Sequence, residues 1–263
     1  MHLKSSLARL LHAFIPFSIM VLIQRVLLLL FGYIRMPSNT AALFAFVPAA
    51  LCCAVAFFLI KVTPSGDEED EEIPPLTKKS VACSFLQTAV AVAVMAVLMY
   101  VVSAIMDEQL ADEVSFSVLS AVSLIVIHPI IEEYVFRGLI YTEMRRMSPV
   151  FAILAQAVMF AIVHNTVNEM LYALVAGVVL AVLVEVSGRL STSIAAHMII
   201  NARSFIYMTY LANRPQIIRI LDTMLFVLGA ISLIGVIVMR GFSDGTVESD
   251  EVGEVLEVED DEE

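Results

Sequence analysis

The chain has 263 residues, 60% of them hydrophobic and 16% charged, with a formal net charge of −12. A soluble domain carries about 45–50% apolar and about 25% charged residues. Here the apolar excess falls in blocks near the roughly 20 residues a helix needs to cross a hydrocarbon core, which excludes a water-soluble globular domain and makes lipid the main solvent of the fold.

Apolar periodicity and run length predict an all-α integral membrane protein with about eight transmembrane helices, at 11–34, 41–61, 80–105, 116–136, 150–165, 169–187, 190–211 and 220–240. The first run follows Lys4 and Arg9 and resembles a signal sequence. It is long, lacks a small-residue cleavage site and is followed by further spans, so it reads as a retained first helix. Residues 1–62 form an N-terminal helix pair with little polar content. Residues 63–79 form an acidic cytoplasmic linker that includes the unbroken acids Asp67 to Glu72. The membrane domain at 80–240 holds six spans and nearly all the unusual polar residues, so a catalytic bundle is expected from the later spans. The tail at 241–263 carries ten acids between Glu248 and Glu263. Like charges at this density repel and form no core, so linker and tail are expected to be solvated and disordered, and they say little about catalysis. Cys52, Cys53 and Cys83 lie in apolar runs without metal spacing and read as small buried hydrophobes.

Eight spans put both termini on one side, and basic residues choose the side. With the N-terminus cytoplasmic, the inner segments hold Lys4, Arg9, Lys61, Lys78, Lys79, Arg145, Arg146, Arg189 and Arg240. The outer segments hold Arg35, Arg214 and Arg219. Both termini are therefore expected in the cytoplasm, with the protein in the cell membrane.

An ionisable side chain at the centre of a span costs about 2.5–3.5 kcal/mol on insertion scales, so each one asks for a function. The fourth span carries His128, Glu132, Glu133 and Arg137, the fifth His164, and the seventh His197, Asn201 and Arg203. Arg25 and Glu185 stand apart, in the first and sixth, and are expected to find partners or to snorkel. At about 1.5 Å of rise per residue, Glu132, His164, His197 and Asn201 fall in one broad layer about 12–20 Å from the inner ends of their helices. His197 and Asn201 share a face at i, i+4, as do His128 and Glu132, and Phe160 and His164. Glu132 and Glu133 lie about 100° apart, so one carboxylate is expected to face a cavity while Glu133 pairs with Arg137 one turn on. Two imidazoles, a carboxylate and an amide in an apolar recess suit water activation, with the carboxylate as base, the imidazoles positioning water or a metal, and the amide meeting an oxyanion. His128, one turn from Glu132 and ahead of Pro129, could tune that carboxylate. Phe160 reads as core packing or a cavity wall.

Glu132-Glu133-x-x-x-Arg137, Phe160-x-x-x-His164 and His197-x-x-x-Asn201 resemble, in order, the three motifs of the CPBP family (CAAX protease and bacteriocin-processing, also called Abi). The resemblance spans about 70 residues and leaves out the N-terminal helix pair and the tail. It implies an eight-helix intramembrane endopeptidase acting on peptide or membrane-anchored protein substrates, with no nucleic-acid partner. Carried over, the water activator is Glu132, the positioners of water or metal are His164 and His197, and the oxyanion donor is Asn201, with Glu133 and Arg137 in support. A divalent metal such as zinc, held by His164, His197 and Glu132, and a metal-free glutamate mechanism both stay open; the His-Glu-x-x-His pattern of the zincins is absent. Two other classes fit less well. A non-catalytic immunity or scaffold protein would have no need of the intact motifs, and a proton-coupled transporter would be expected to show repeat symmetry.

Overall fold

The computed structural model describes residues 2–60, 78–106, 118–211 and 213–260. Most of the expected acidic linker and the last three residues of the tail lie outside them. All regular structure among the described residues is helical. It forms α1 (His2–Tyr33), α2 (Ser38–Leu59), α3 (Lys78–Met106), α4 (Val118–Arg145), α5 (Pro149–Ile162), α6 (Val167–Ser187), α7 (Leu190–Ile206, prolonged by a wider turn over Tyr207–Leu211) and α8 (Pro215–Asp260). The backbone of α8 thus runs on through the acidic segment at 241–260.

Six of these helices, α1 to α4, α6 and α8, contain stretches long and apolar enough to cross a membrane. The eight expected spans are not confirmed as eight. With 14 residues α5 reaches about 21 Å at the helical rise, short of the roughly 30 Å of a hydrocarbon core, while α7 with its wider turn runs over 190–211 but carries His197, Asn201 and Arg203 within its length. The chain is an all-α integral membrane protein. Its outer faces present large apolar residues such as Leu29, Phe85 and Phe226, as a lipid-facing surface requires.

Two widened turns divide α4. The chain is π-helical over Ser123–Ile127 and again over Tyr134–Tyr141, with an α-helical segment His128–Glu133 between them. The first widening has a local cause. Pro129 has no N–H, and its ring clashes with the carbonyl four residues back in a regular helix; the wider winding over Ser123–Ile127 relieves that clash. π-Turns re-aim the side chains that follow them, and they recur at functional sites. Here the re-aimed residues are His128, Glu132 and Glu133.

The ends of α5 and α6 follow sequence signals. Ser148 accepts a hydrogen bond from the Phe151 N–H at 3.4 Å and Pro149 opens α5. Thr166 and Glu169 form a capping box at the start of α6, and Gly188, at φ 65°, closes it. α5 and α6 lie side by side, at a distance set by Gly177, where an added Cβ would stand 2.9 Å from the Ala157 Cα. Small residues at such a crossing let backbones approach, the usual device for helix association in lipid. α1 and α2 pack as a pair against α4, while α3 contacts α6, α7 and α8. At one end of the bundle Arg9 and His12 of α1 approach the Glu143 carboxylate of α4 at 3.4 and 3.6 Å.

Candidate active site

The widened α4 and the middle of α7 face each other, and polar side chains fill the gap. The Glu133 carboxylate, fully buried, lies 2.9 Å from the Arg137 guanidinium one turn on. It also accepts a hydrogen bond from the Ser193 hydroxyl of α7 and lies 2.7 Å from Nδ1 of His197. A carboxylate paired with a guanidinium accepts only, so Nδ1–H of His197 donates to it. That fixes the ring and turns Nε2 toward Glu132, whose Oε2 is 3.5 Å away. His197 thus stands between two adjacent carboxylates, of which Glu132 alone borders the cavity.

His164 lies just past the end of α5. Its Nδ1 is 2.8 Å from the Phe160 carbonyl, an acceptor, so Nδ1–H donates there and leaves Nε2 with a lone pair. Phe160 does not border the cavity. It is buried behind the two imidazoles, with ring centroids 5.0 Å from His164 and 5.8 Å from His197 and edge-on to both. The Arg137 guanidinium lies 4.5 Å over its other neighbourhood, the ring face, so Phe160 links the three motifs by packing.

Glu132, His164, His197, Asn201 and His128 all border one cavity of about 410 Å³. The Asn201 side-chain amide donates to the Leu124 carbonyl at 3.0 Å. That bond ties α7 to the first widened turn of α4, and it uses one of the two N–H groups of the amide. His128 packs edge-on against Phe46 of α2 at 5.3 Å, and its Nε2 is buried without a hydrogen-bond partner among the described residues. Among the described residues no three His, Cys, Asp or Glu side chains stand together in a way that could hold a metal ion.

Several participants escaped the sequence reading. Ser193 precedes His197 by one turn, and only the approach of α7 to α4 makes it a partner of Glu133. Gln156 donates to the Gly177 carbonyl at 2.8 Å, where the Arg137 guanidinium also reaches at 3.4 Å. Gln24 of α1 and Ala42 and Phe46 of α2 border the cavity, although the N-terminal pair lies outside the motifs. The isolated charges did find partners. Arg25 reaches the end of α5, Glu185 binds Tyr141 and Arg145, and Arg203 binds Asp222.

The family model described as Type II CAAX prenyl endopeptidase Rce1-like matches residues 114–203. No curated protein and no solved structure matches the chain. The matched segment, about a third of the chain, runs from the start of α4 to α7 and contains all three motifs. Residues 114–203 are thus similar to the Rce1-like type II CAAX prenyl endopeptidase family, the CPBP group whose motifs the sequence resembles.

Proposed function

We propose that the chain is an intramembrane endopeptidase that hydrolyses peptide bonds of membrane-anchored substrates. The observation that carries this reading is the convergence of Glu132, His164, His197 and Asn201, from three helices and three motifs, on one cavity. The family of the 114–203 segment supports it in general terms. The glutamate mechanism follows from the roles the residues can take. Glu132 removes a proton from a water that the Nε2 lone pair of His164 holds by a hydrogen bond. The resulting hydroxide adds to the peptide carbonyl carbon. The oxyanion takes a hydrogen bond from the second N–H of the Asn201 amide, and the C–N bond then breaks as Glu132 returns its proton to the departing amine. His197, held by Glu133 through Nδ1–H, keeps the Glu132 carboxylate turned to the cavity when its Nε2 also carries a proton and donates to it. The low dielectric of a recess within the bilayer strengthens each of these contacts.

Glu132→Gln and His197→Ala each abolish cleavage of a membrane-anchored peptide while the protein still inserts. Reconstituted protein with a fluorogenic anchored peptide measures the first effect and membrane fractionation the second. Cleavage retained in both variants contradicts the reading.

A further inference from the structure

The end of α5 is a place where backbone carbonyls lose their helical partners. Helix termini leave several such groups, and within a bilayer each unsatisfied one costs several kcal/mol. Four consecutive residues at this terminus are bonded to two adjacent side chains of α1. The Arg25 guanidinium donates to the Ile162 carbonyl at 2.7 Å, the His164 carbonyl at 3.0 Å and the Asn165 side-chain oxygen at 2.9 Å. The Gln24 amide, buried, donates to the Val163 carbonyl at 3.0 Å. A guanidinium at a helix C-terminus also meets the negative end of the helix dipole. Neither residue lies within 114–203.

The backbone they hold is the backbone that aims His164. The ring is fixed between its own Cα and the Phe160 carbonyl. Any shift of residues 162–165 against α5 therefore swings Nε2 relative to Glu132. We propose that Gln24 and Arg25 are positioning residues that cap α5 from α1 and hold His164 in its working orientation, which makes the first helix part of the catalytic unit. The kinetic consequence rests on the peptidase reading; the geometric one does not.

The test compares wild type, Arg25→Ala and Arg25→Lys, each full length and ¹⁵N-labelled at its five histidines. Turnover is measured alongside the imidazole ¹⁵N spectrum, with His164 assigned from the signal lost in His164→Gln and His197 from the signal lost in His197→Gln. Arg25→Ala lowers kcat about tenfold or more with KM changed less than about twofold, as a displaced catalytic group requires. Its His164 signal leaves the Nδ1-protonated position, while the His197 signal stays. Arg25→Lys, which keeps the charge but loses the fork of donors, falls between. An unmoved His164 signal in Arg25→Ala overturns the proposal, and so does a joint shift of His164 and His197, which reports general loosening. Unchanged kcat in Arg25→Ala overturns it as well. A wild type that turns over no peptide counts against the peptidase reading alone, and the spectrum then decides the clamp by itself.

Discussion

Replacing Glu133 by glutamine keeps the shape of the side chain but leaves the Arg137 guanidinium buried without its counter-charge. Removing one partner of such a pair costs about 3–5 kcal/mol, so Glu133→Gln is expected to unfold at a clearly lower temperature in detergent. Replacing both partners by neutral residues of similar size removes that penalty. The double variant Glu133→Gln, Arg137→Met is therefore more stable than the single one. Its activity stays low, by about 10–100-fold, because His197 has lost the carboxylate that orients it. Recovery of stability and activity together would show that Glu133 serves the fold alone. The motif positions were legible at this scale, and so was the ion pair, since i, i+4 spacing is a property of one helix. The bonds of Glu133 to Ser193 and His197 were not, because they join residues about 60 positions apart and depend on how two helices meet.

At the scale of the element, the winding of α4 and the crossing of α5 with α6 place the site. Pro129 signalled a disturbance in α4, and the structure resolves it as a widened turn ahead of the proline. The second widened turn, over Tyr134–Tyr141, has no comparable marker in the sequence. The crossing depends on Gly177. An alanine there places its Cβ against the Ala157 backbone, which cannot rotate away as a side chain would. It also pushes α6 away from α5, from which Gln156 reaches the Gly177 carbonyl that the Arg137 guanidinium of α4 also approaches. Overpacking of this kind costs about 1–3 kcal/mol. Gly177→Ala is thus expected to lower the thermal midpoint, and an unchanged midpoint would show that α5 and α6 have slack between them. The bounds of α7 with its wider turn, 190–211, were legible in the sequence, whereas the early end of α5 was hard to read. Val163 is apolar like the helix before it, and only the backbone shows that α5 stops at Ile162, ahead of His164.

For the whole molecule, the all-helical membrane class was legible from composition and run length alone, while the place of the N-terminal pair was not. Gln24 and Arg25 stood out as polar residues in an apolar helix, yet nothing local to α1 says that they meet α5. The cavity lies toward the ends of α5 and α7 that are remote from Arg145 and Arg189. On the distribution of basic residues, we propose that those remote ends face away from the cytoplasm. In a background without the native cysteines, an impermeant thiol reagent on intact cells is expected to label Arg214→Cys and to spare Arg146→Cys. The reverse pattern would invert the orientation and open the cavity to the cytoplasm, leaving the chemistry of the site unchanged.

The central claim is that Glu132 makes this cavity a peptidase, and protein termini test it most directly. The membrane proteomes of cells expressing the wild type and Glu132→Gln at matched levels are compared for new N- and C-termini. The account predicts termini present with the wild type and absent with the variant, which would also name the substrate. Identical sets of termini, with both proteins properly inserted, would contradict it.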